Sequence, residues 1–254
     1  MNYSLQDSLV LDAASRAAQA AKILRVLEDF SQSADLTLAA CSCLDVGCSS
    51  GIITRALAPH VGRMVGVDVD GHALALAGRA EASFSFSPPG AALFAAASGL
   101  ALPFPGGSFD LALCNQVYQY VPDVPRLFAE LHRVLRAGGA CYFSARNLWG
   151  IASAENRLPF LASLSPRAAA IFSRGSSAWR HRAGTLWPHA RLRALAAQLF
   201  IVRDYTTRVL HEPALAELFV PSQYRRALAG APPALLELAR PLLPTHLWLL
   251  QKRP

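Results

Sequence analysis

The chain has 254 residues, with 24 Lys+Arg against 17 Asp+Glu, a formal net charge of +7, 53% hydrophobic and 16% charged residues. That balance excludes a disordered or solvating chain, which is poor in apolar residues and highly charged. With five cysteines in such a length a small disulfide scaffold is excluded too, and about 250 residues suffice for one large α/β domain.

In chain order, residues 12–30 place Ile23, Leu24, Leu27 and Phe30 at helical spacing, which predicts an amphipathic helix. CSCLDVG is a short apolar run ending at glycine, a buried strand feeding a turn. IITRALAPH reads as a helix stopped near Pro59, RMVGVDVD as a second strand and GHALALAGRAEA as a second helix. SPPG marks a loop, ALFAAAS a third strand and FDLALCN a fourth. VPRLFAELHRVLRA is a strong helix that the pair Gly138-Gly139 is expected to cap, and ACYFSARN is a fifth strand. From about Asn147 the pattern loosens, with a short helix expected in SPRAAAIFSR. It tightens again at the helix PHARLRALAAQLF, the strand IVRDYTTRVL, helical turns through 213–240 and a last strand THLWLLQK. Alternating β and α segments predict a doubly wound, mostly parallel α/β sheet. The chain is read as one domain, 1–254, with an irregular insertion.

Charge is distributed unevenly. Residues 1–150 hold 10 basic and 12 acidic side chains, and residues 151–254 hold 14 and 5, so the basic excess lies entirely in the second part. Of the 24 cations only Lys22 and Lys252 are lysines. A GC-rich coding bias accounts for that, whereas a basic surface near an anionic substrate, lipid or nucleic acid is the sharper alternative. Cys41, Cys43, Cys48, Cys114 and Cys141 form no CxxC and have no neighbouring histidines, so no metal is expected, and they read as small buried residues in a reducing compartment. The most apolar run, Ala91 to Leu102, is short of the ~18 residues that cross a bilayer. MNYSLQDSLVLD has no basic segment followed by an apolar block, so a cytoplasmic location is expected.

The informative stretch is LDVGCSSGIITRAL. Gly47 and Gly51 bracket a tight turn between strand and helix, where the missing Cβ lets backbone and ligand approach. Asp68 follows 21 residues after Gly47, at the end of the next strand, where an acid can accept both hydroxyls of a ribose. Together they point to a nucleoside-containing cofactor. A nicotinamide dinucleotide fits less well, because Gly47, Ser49 and Ile52 occupy the places of G-x-G-x-x-G and two of the three glycines are missing.

LDVGCSSG, GVDVD and ALPFPGGSFDLALCNQVYQYVPDVPRLFAELHRVLRAGGACYF together resemble the class I S-adenosylmethionine-dependent methyltransferases. The likeness is to the small-molecule, methyltransferase type 11-like branch that includes quinone, sterol and malonyl-carrier enzymes, and covers roughly residues 40–146. The resemblance implies a Rossmann-like, seven-stranded sheet with an antiparallel last strand, and S-adenosyl-L-methionine as cofactor. Residues 1–35 would form a helical cover, 40–146 the cofactor-binding core, and 147–187 and 211–240 insertions on the substrate side. Position by position it implies that Gly47, Cys48 and Gly51 line the methionine part, and that Asp45 holds the turn and reaches the cofactor's ammonium through water. Asp68 would bind the ribose and Val69 pack beside the adenine. Ser98 and Gly99 stand where many members have Asp-Ala beside the adenine amine, and Asn115 faces the methionine and the methyl acceptor. Ser49 replaces the usual middle glycine.

Residues for catalysis are less clearly marked. Tyr118 and Tyr120 can face the acceptor pocket or pack at the mouth of the sheet. His132 lies within an amphipathic helix, where a surface or interface role is expected, and His72 reads as a cap or a solvent-facing residue. His181 and His189 flank an aromatic and basic cluster, Trp179, Arg180, Arg182 and Trp187, and either histidine could act as general base near neutral pH. The same cluster could stack on RNA or hold a lipid headgroup. The expected partner is a small-molecule substrate. The alternatives are an RNA methyltransferase and a cofactor-binding protein without catalysis.

Overall fold

The computed structural model describes residues 12–81, 91–148, 186–212, 232–243 and 245–254, together with Leu215, Glu217 and Gly230. The expected SPPG loop, the SPRAAAIFSR helix, and Trp179, Arg180, His181 and Arg182 lie outside the described residues.

Helix α1 (Ala13–Ser33) starts at Asp12, whose carboxylate accepts a hydrogen bond from Ala14 N at 3.2 Å. Its Ala20, Ile23, Val26, Leu27 and Phe30 recur every three or four residues and are all buried. There follow β1 (Ser42–Val46), α2 (Ile52–Leu57), β2 (Arg63–Asp68), α3 (Gly71–Glu81), β3 (Ala92–Ala96), β4 (Phe109–Asn115), α4 (Val124–Val134) and β5 (Leu135–Arg146). The second part adds α5 (His189–Leu199), β6 (Phe200–Asp204), α6 (Tyr205–His211), α7 (Pro233–Ala239) and β7 (Thr245–Lys252).

The seven strands form one sheet in the order β3-β2-β1-β4-β5-β7-β6. The pairs from β3 through β5 are parallel, and β7 runs antiparallel to both β5 and β6. The α/β fold read from the sequence is the fold observed. Strands buried on both faces explain the near-continuous apolar runs. Cys43, Leu111, Leu113, Leu247 and Leu249 pack with α1, α2 and α6 on one face, while Leu44, Ala112, Cys114, Phe143 and Trp248 pack with α4 and α5 on the other. Strand order reverses at β1, from which the chain winds outward to β2 and β3 before returning to β4 on the other side. Such a switch point leaves a crevice beyond the carboxyl ends of the two central strands, here β1 and β4.

Two local expectations are corrected. Gly138-Gly139 does not cap α4, which ends at Val134 and runs directly into β5. The glycines instead absorb a register shift in the pairing of β4 with β5, between Phe109 and Leu111. Gly138 has φ +75°, and a Cβ on Gly139 would lie 2.7 Å from the Asp110 carbonyl oxygen. IVRDYTTRVL is a strand only to Asp204, whose carboxylate accepts from Thr206 N at 2.9 Å and starts α6. The side-chain cap overrides the β-branched residues that follow.

The connection after β3 is pinned to α4 by charge. Buried Glu130 accepts from Leu102 N at 2.7 Å and takes both arms of Arg133, at 2.9 and 2.8 Å. Arg133 in turn donates to the carbonyls of Phe104 and Leu102. Among the described residues no helix is long and apolar enough to cross a membrane.

Candidate cofactor site

The turn leaving β1 sits at the switch point. Gly47 N and Cys48 N both donate to the Val67 carbonyl, at 2.8 and 3.1 Å, so the end of β2 anchors the turn, and Gly51 N closes it on Cys48 O at 3.0 Å. Gly47 and Gly51 adopt φ of +78° and +72°, in the left-handed region that a side chain makes costly. A Cβ on Gly47 would lie 2.5 Å from Val117 Cγ2, and one on Gly51 would lie 2.5 Å from the Phe94 ring. Ser49 also has positive φ, +52°, so this non-glycine residue bears strain at the site.

A pocket opens beyond the ends of β1 and β4. Its wall includes the turn from Gly47 to Ser50, Ile52 and Ile53 of α2, Asp45, Asn115 and, from α1, Arg16. Asp45 lies at its base, 4% exposed, and accepts from Thr54 Oγ1 at 2.7 Å. Burial, reinforced by the charge of Asp68 and opposed by the Thr54 hydrogen bond and by Arg16, raises the Asp45 pKa to about 6. Burial chiefly also pushes the thiols of Cys48 and Cys114 far above their ordinary range, which leaves both unreactive.

Of the residues expected to bind cofactor, the pocket brings together Asp45, Gly47, Cys48 and Asn115. Gly51, Asp68, Val69, Ser98 and Gly99 are not part of this wall. Asp68 joins it through the turn: Oδ2 accepts from Ser49 N at 2.7 Å and Oδ1 from Asp70 N at 2.8 Å. The half-buried carboxylate therefore fixes the turn and the exit from β2 at once. Val69 beside it is 51% exposed, an apolar surface open to a ligand. Ser98 Oγ accepts from Leu100 N at 3.2 Å, and Gly99 lets Leu127 and Val46 close within 3.0 Å of its would-be Cβ. His72 is exposed beside the Asp70 cap of α3, and His132 packs edge-on to Phe200.

Asn115 ends β4, and its Oδ1 accepts from Gln19 Nε2 of α1 at 3.4 Å. The next residue, Gln116, has φ +61° and is locked by Gln116 N to Ser144 O at 2.8 Å and Nε2 to Ser144 Oγ at 2.7 Å. This sharp exit turns Tyr118 into the core rather than toward the pocket. Its ring is fully buried, its hydroxyl donates to Arg146 O at 2.7 Å and accepts from Trp187 N, and burial raises its pKa to about 12. Tyr120 stays 42% exposed. His189 is buried at the start of α5 against His246 and Trp248, and burial lowers its pKa.

The sequence reading missed Arg16, Gln19, Thr54 and Gln116. Arg16 and Gln19 precede the turn by about thirty residues and carry no local signature. Thr54 could have been found as the partner that a buried Asp45 requires.

Residues 44–143 match the methyltransferase domain family. Over that stretch, less than half of its length, the chain is similar to methyltransferase domains. An uncharacterized methyltransferase of Mycobacterium marinum is 38% identical over 101 residues, which are 40% of this chain and 37% of the relative. A ubiquinone biosynthesis O-methyltransferase of Pseudomonas fluorescens is 28% identical over 160 residues, 59% of this chain and 66% of that protein. The chain thus spans little more than a third of the length of the mycobacterial relatives it matches. A Haemonchus contortus phosphoethanolamine N-methyltransferase 2, solved with phosphomonomethylethanolamine and S-adenosylhomocysteine, shares the fold at a TM-score of 0.56 and 19% identity, over 91% of this chain and 52% of that one.

Proposed function

We propose that this chain is an S-adenosylmethionine-dependent methyltransferase acting on a small metabolite, with an aromatic, lipid-like or natural-product acceptor. The observation that carries the reading is the turn at the switch point. Two left-handed glycines abut Val117 and Phe94, and Asp68 grips the turn from the end of β2. This turn lies inside the stretch that matches a methyltransferase domain.

When bound, the cofactor supplies an electrophilic methyl carbon on its sulfonium, so the protein's share is alignment and exclusion of water. In this reading Asp45, Gly47, Cys48, Gly51 and Asn115 surround the methionine end. Asp68 accepts from the ribose hydroxyls with the lone pairs left by Ser49 N and Asp70 N, and Val69 covers one side of the adenine. Ser98, already accepting from Leu100 N, keeps a lone pair and its hydroxyl hydrogen for the adenine edge beside Gly99. Neither Tyr118, held in the core, nor His189, packed on His246, is assigned the role of base.

The likeness to a ubiquinone biosynthesis O-methyltransferase favours a small acceptor. Trp187 and Arg191 stack on one another at 3.7 Å, so this aromatic and basic pair already satisfies itself without RNA. The test is incubation of the purified protein with methyl-labelled S-adenosylmethionine and, separately, a metabolite extract and total tRNA. Label in a solvent-extractable small molecule is expected. Label in tRNA overturns the small-metabolite reading, and label in neither overturns catalysis.

A further inference from the structure

We infer that the buried imidazole pair His189 and His246 is an acid-operated latch. Neutral, the pair holds the start of α5 against β7; a proton taken up there opens that contact while the sheet stays paired.

His189 begins α5 and His246 is the second residue of β7, and they are 8% and 0% exposed. Their ring centroids lie 4.7 Å apart. His246 stacks on Trp248 at 5.3 Å, and His189 meets the same indole edge-on at 5.6 Å. Among the described residues both nitrogens of His246 and Nε2 of His189 have no hydrogen-bond partner, so no acceptor awaits an added N–H. The charges around the pair disfavour a cation as well. Arg193 on α5 and Arg240, in the turn Arg240–Leu242 after α7, both oppose it. Asp204 on β6 favours it but is already engaged, its Oδ1 by Thr206 N at 2.9 Å and its Oδ2 by the Arg240 guanidinium at 3.3 Å. Glu237 of α7 likewise pairs with Arg240, and on β5 the residue opposite His246 is Ala145.

Burial, reinforced by His189, lowers the His246 pKa to about 3, and burial lowers that of His189 against the pull of Asp204. An imidazole released to water titrates near 6.5. Below that pH the open form binds more protons than the closed one, so the latch is fully closed above about 6.5 and loosens as pH falls. From pH 7.5 to pH 5.5 one imidazole shifts the balance toward opening by about tenfold. The opening is local, because β7 is held by backbone pairing to β5 on one side and β6 on the other. What it frees is the segment entering α5, where Trp187 N donates to the Tyr118 hydroxyl at 3.3 Å.

The test is hydrogen exchange at pH 7.5 and pH 5.5, corrected for the intrinsic exchange rates. Protection of the α5 amides over 192–199 should fall by about tenfold at pH 5.5, and that of β1 should hold. In the double variant His189→Gln with His246→Gln, which cannot take the proton, α5 protection should be the same at both pH values. Nitrogen NMR of histidine-labelled wild type needs no variant to fold, and should show His246 neutral at pH 5.5. Equal loss in β1, no loss in α5, or a pH dependence that survives in the double variant overturns the latch. So does a His246 that titrates near the ordinary imidazole value in the folded protein.

Discussion

Replacing Asp68 by alanine separates what this carboxylate does for the fold from what it does for a ligand. In the free protein it accepts two backbone hydrogen bonds, from Ser49 N at 2.7 Å and from Asp70 N at 2.8 Å. A hydrogen bond to a charged group contributes about 1.5–3 kcal/mol. Asp68 is half-buried, so water reaches the two N–H groups once the carboxylate is gone, and we expect a total loss of about 2–3 kcal/mol. For a chain of this size that is a fall in melting temperature of about 5–10 °C. The ribose adds a second and separate effect. Wild-type protein should bind S-adenosylhomocysteine about 10- to 100-fold more tightly than its 2′,3′-dideoxy analogue, the range for losing charge-assisted hydrogen bonds. In Asp68→Ala that preference should disappear, because the acceptor of both hydroxyls is gone. Titration calorimetry with the two ligands reads this directly. If Asp68 only props the turn, the variant weakens both ligands alike and keeps the preference, and the ribose role is refuted.

Three further outcomes follow from the same geometry. Gly47→Ala forces an alanine to φ +78° with its Cβ 2.5 Å from Val117 Cγ2, which should cost about 2–4 kcal/mol in chemical denaturation. Adding Val117→Ala should relieve the contact and leave the backbone cost, and a neutral Gly47→Ala would contradict the turn described here. Asp45, with its pKa raised to about 6, is least favourable to the fold when charged, so its contribution is fully present below the ordinary carboxylate pKa and is lost as pH rises through about 6. Asp45→Asn keeps an acceptor for Thr54 and should gain on wild type by about 2–3 kcal/mol between pH 4 and pH 7.5 in urea denaturation; a difference that is the same at both pH values would contradict the assignment.

The sequence discloses the sheet because burial on both faces writes itself as apolar runs, and the turn because Gly47, Gly51 and Asp68 stand at a spacing that chemistry explains. Where reading failed, a single side chain or a distant strand overrode the local pattern. Gly138-Gly139 looks like a helix cap, yet Leu135 already pairs with Phe109, and the glycines serve the strand. Asp204 starts a helix among residues that favour strands. Tyr118 lies three residues from Asn115, but Gln116 at φ +61° separates their directions. Arg16 reaches the pocket only through the packing of α1, a long-range contact that no local motif encodes.

The central claim is that the turn after β1, held by Asp68, receives an adenosyl amino acid. Thermal denaturation of the purified protein with S-adenosylhomocysteine, and in parallel with a nicotinamide dinucleotide, tests it most directly. Protection by S-adenosylhomocysteine alone is the predicted result. Protection by the dinucleotide alone would contradict the account.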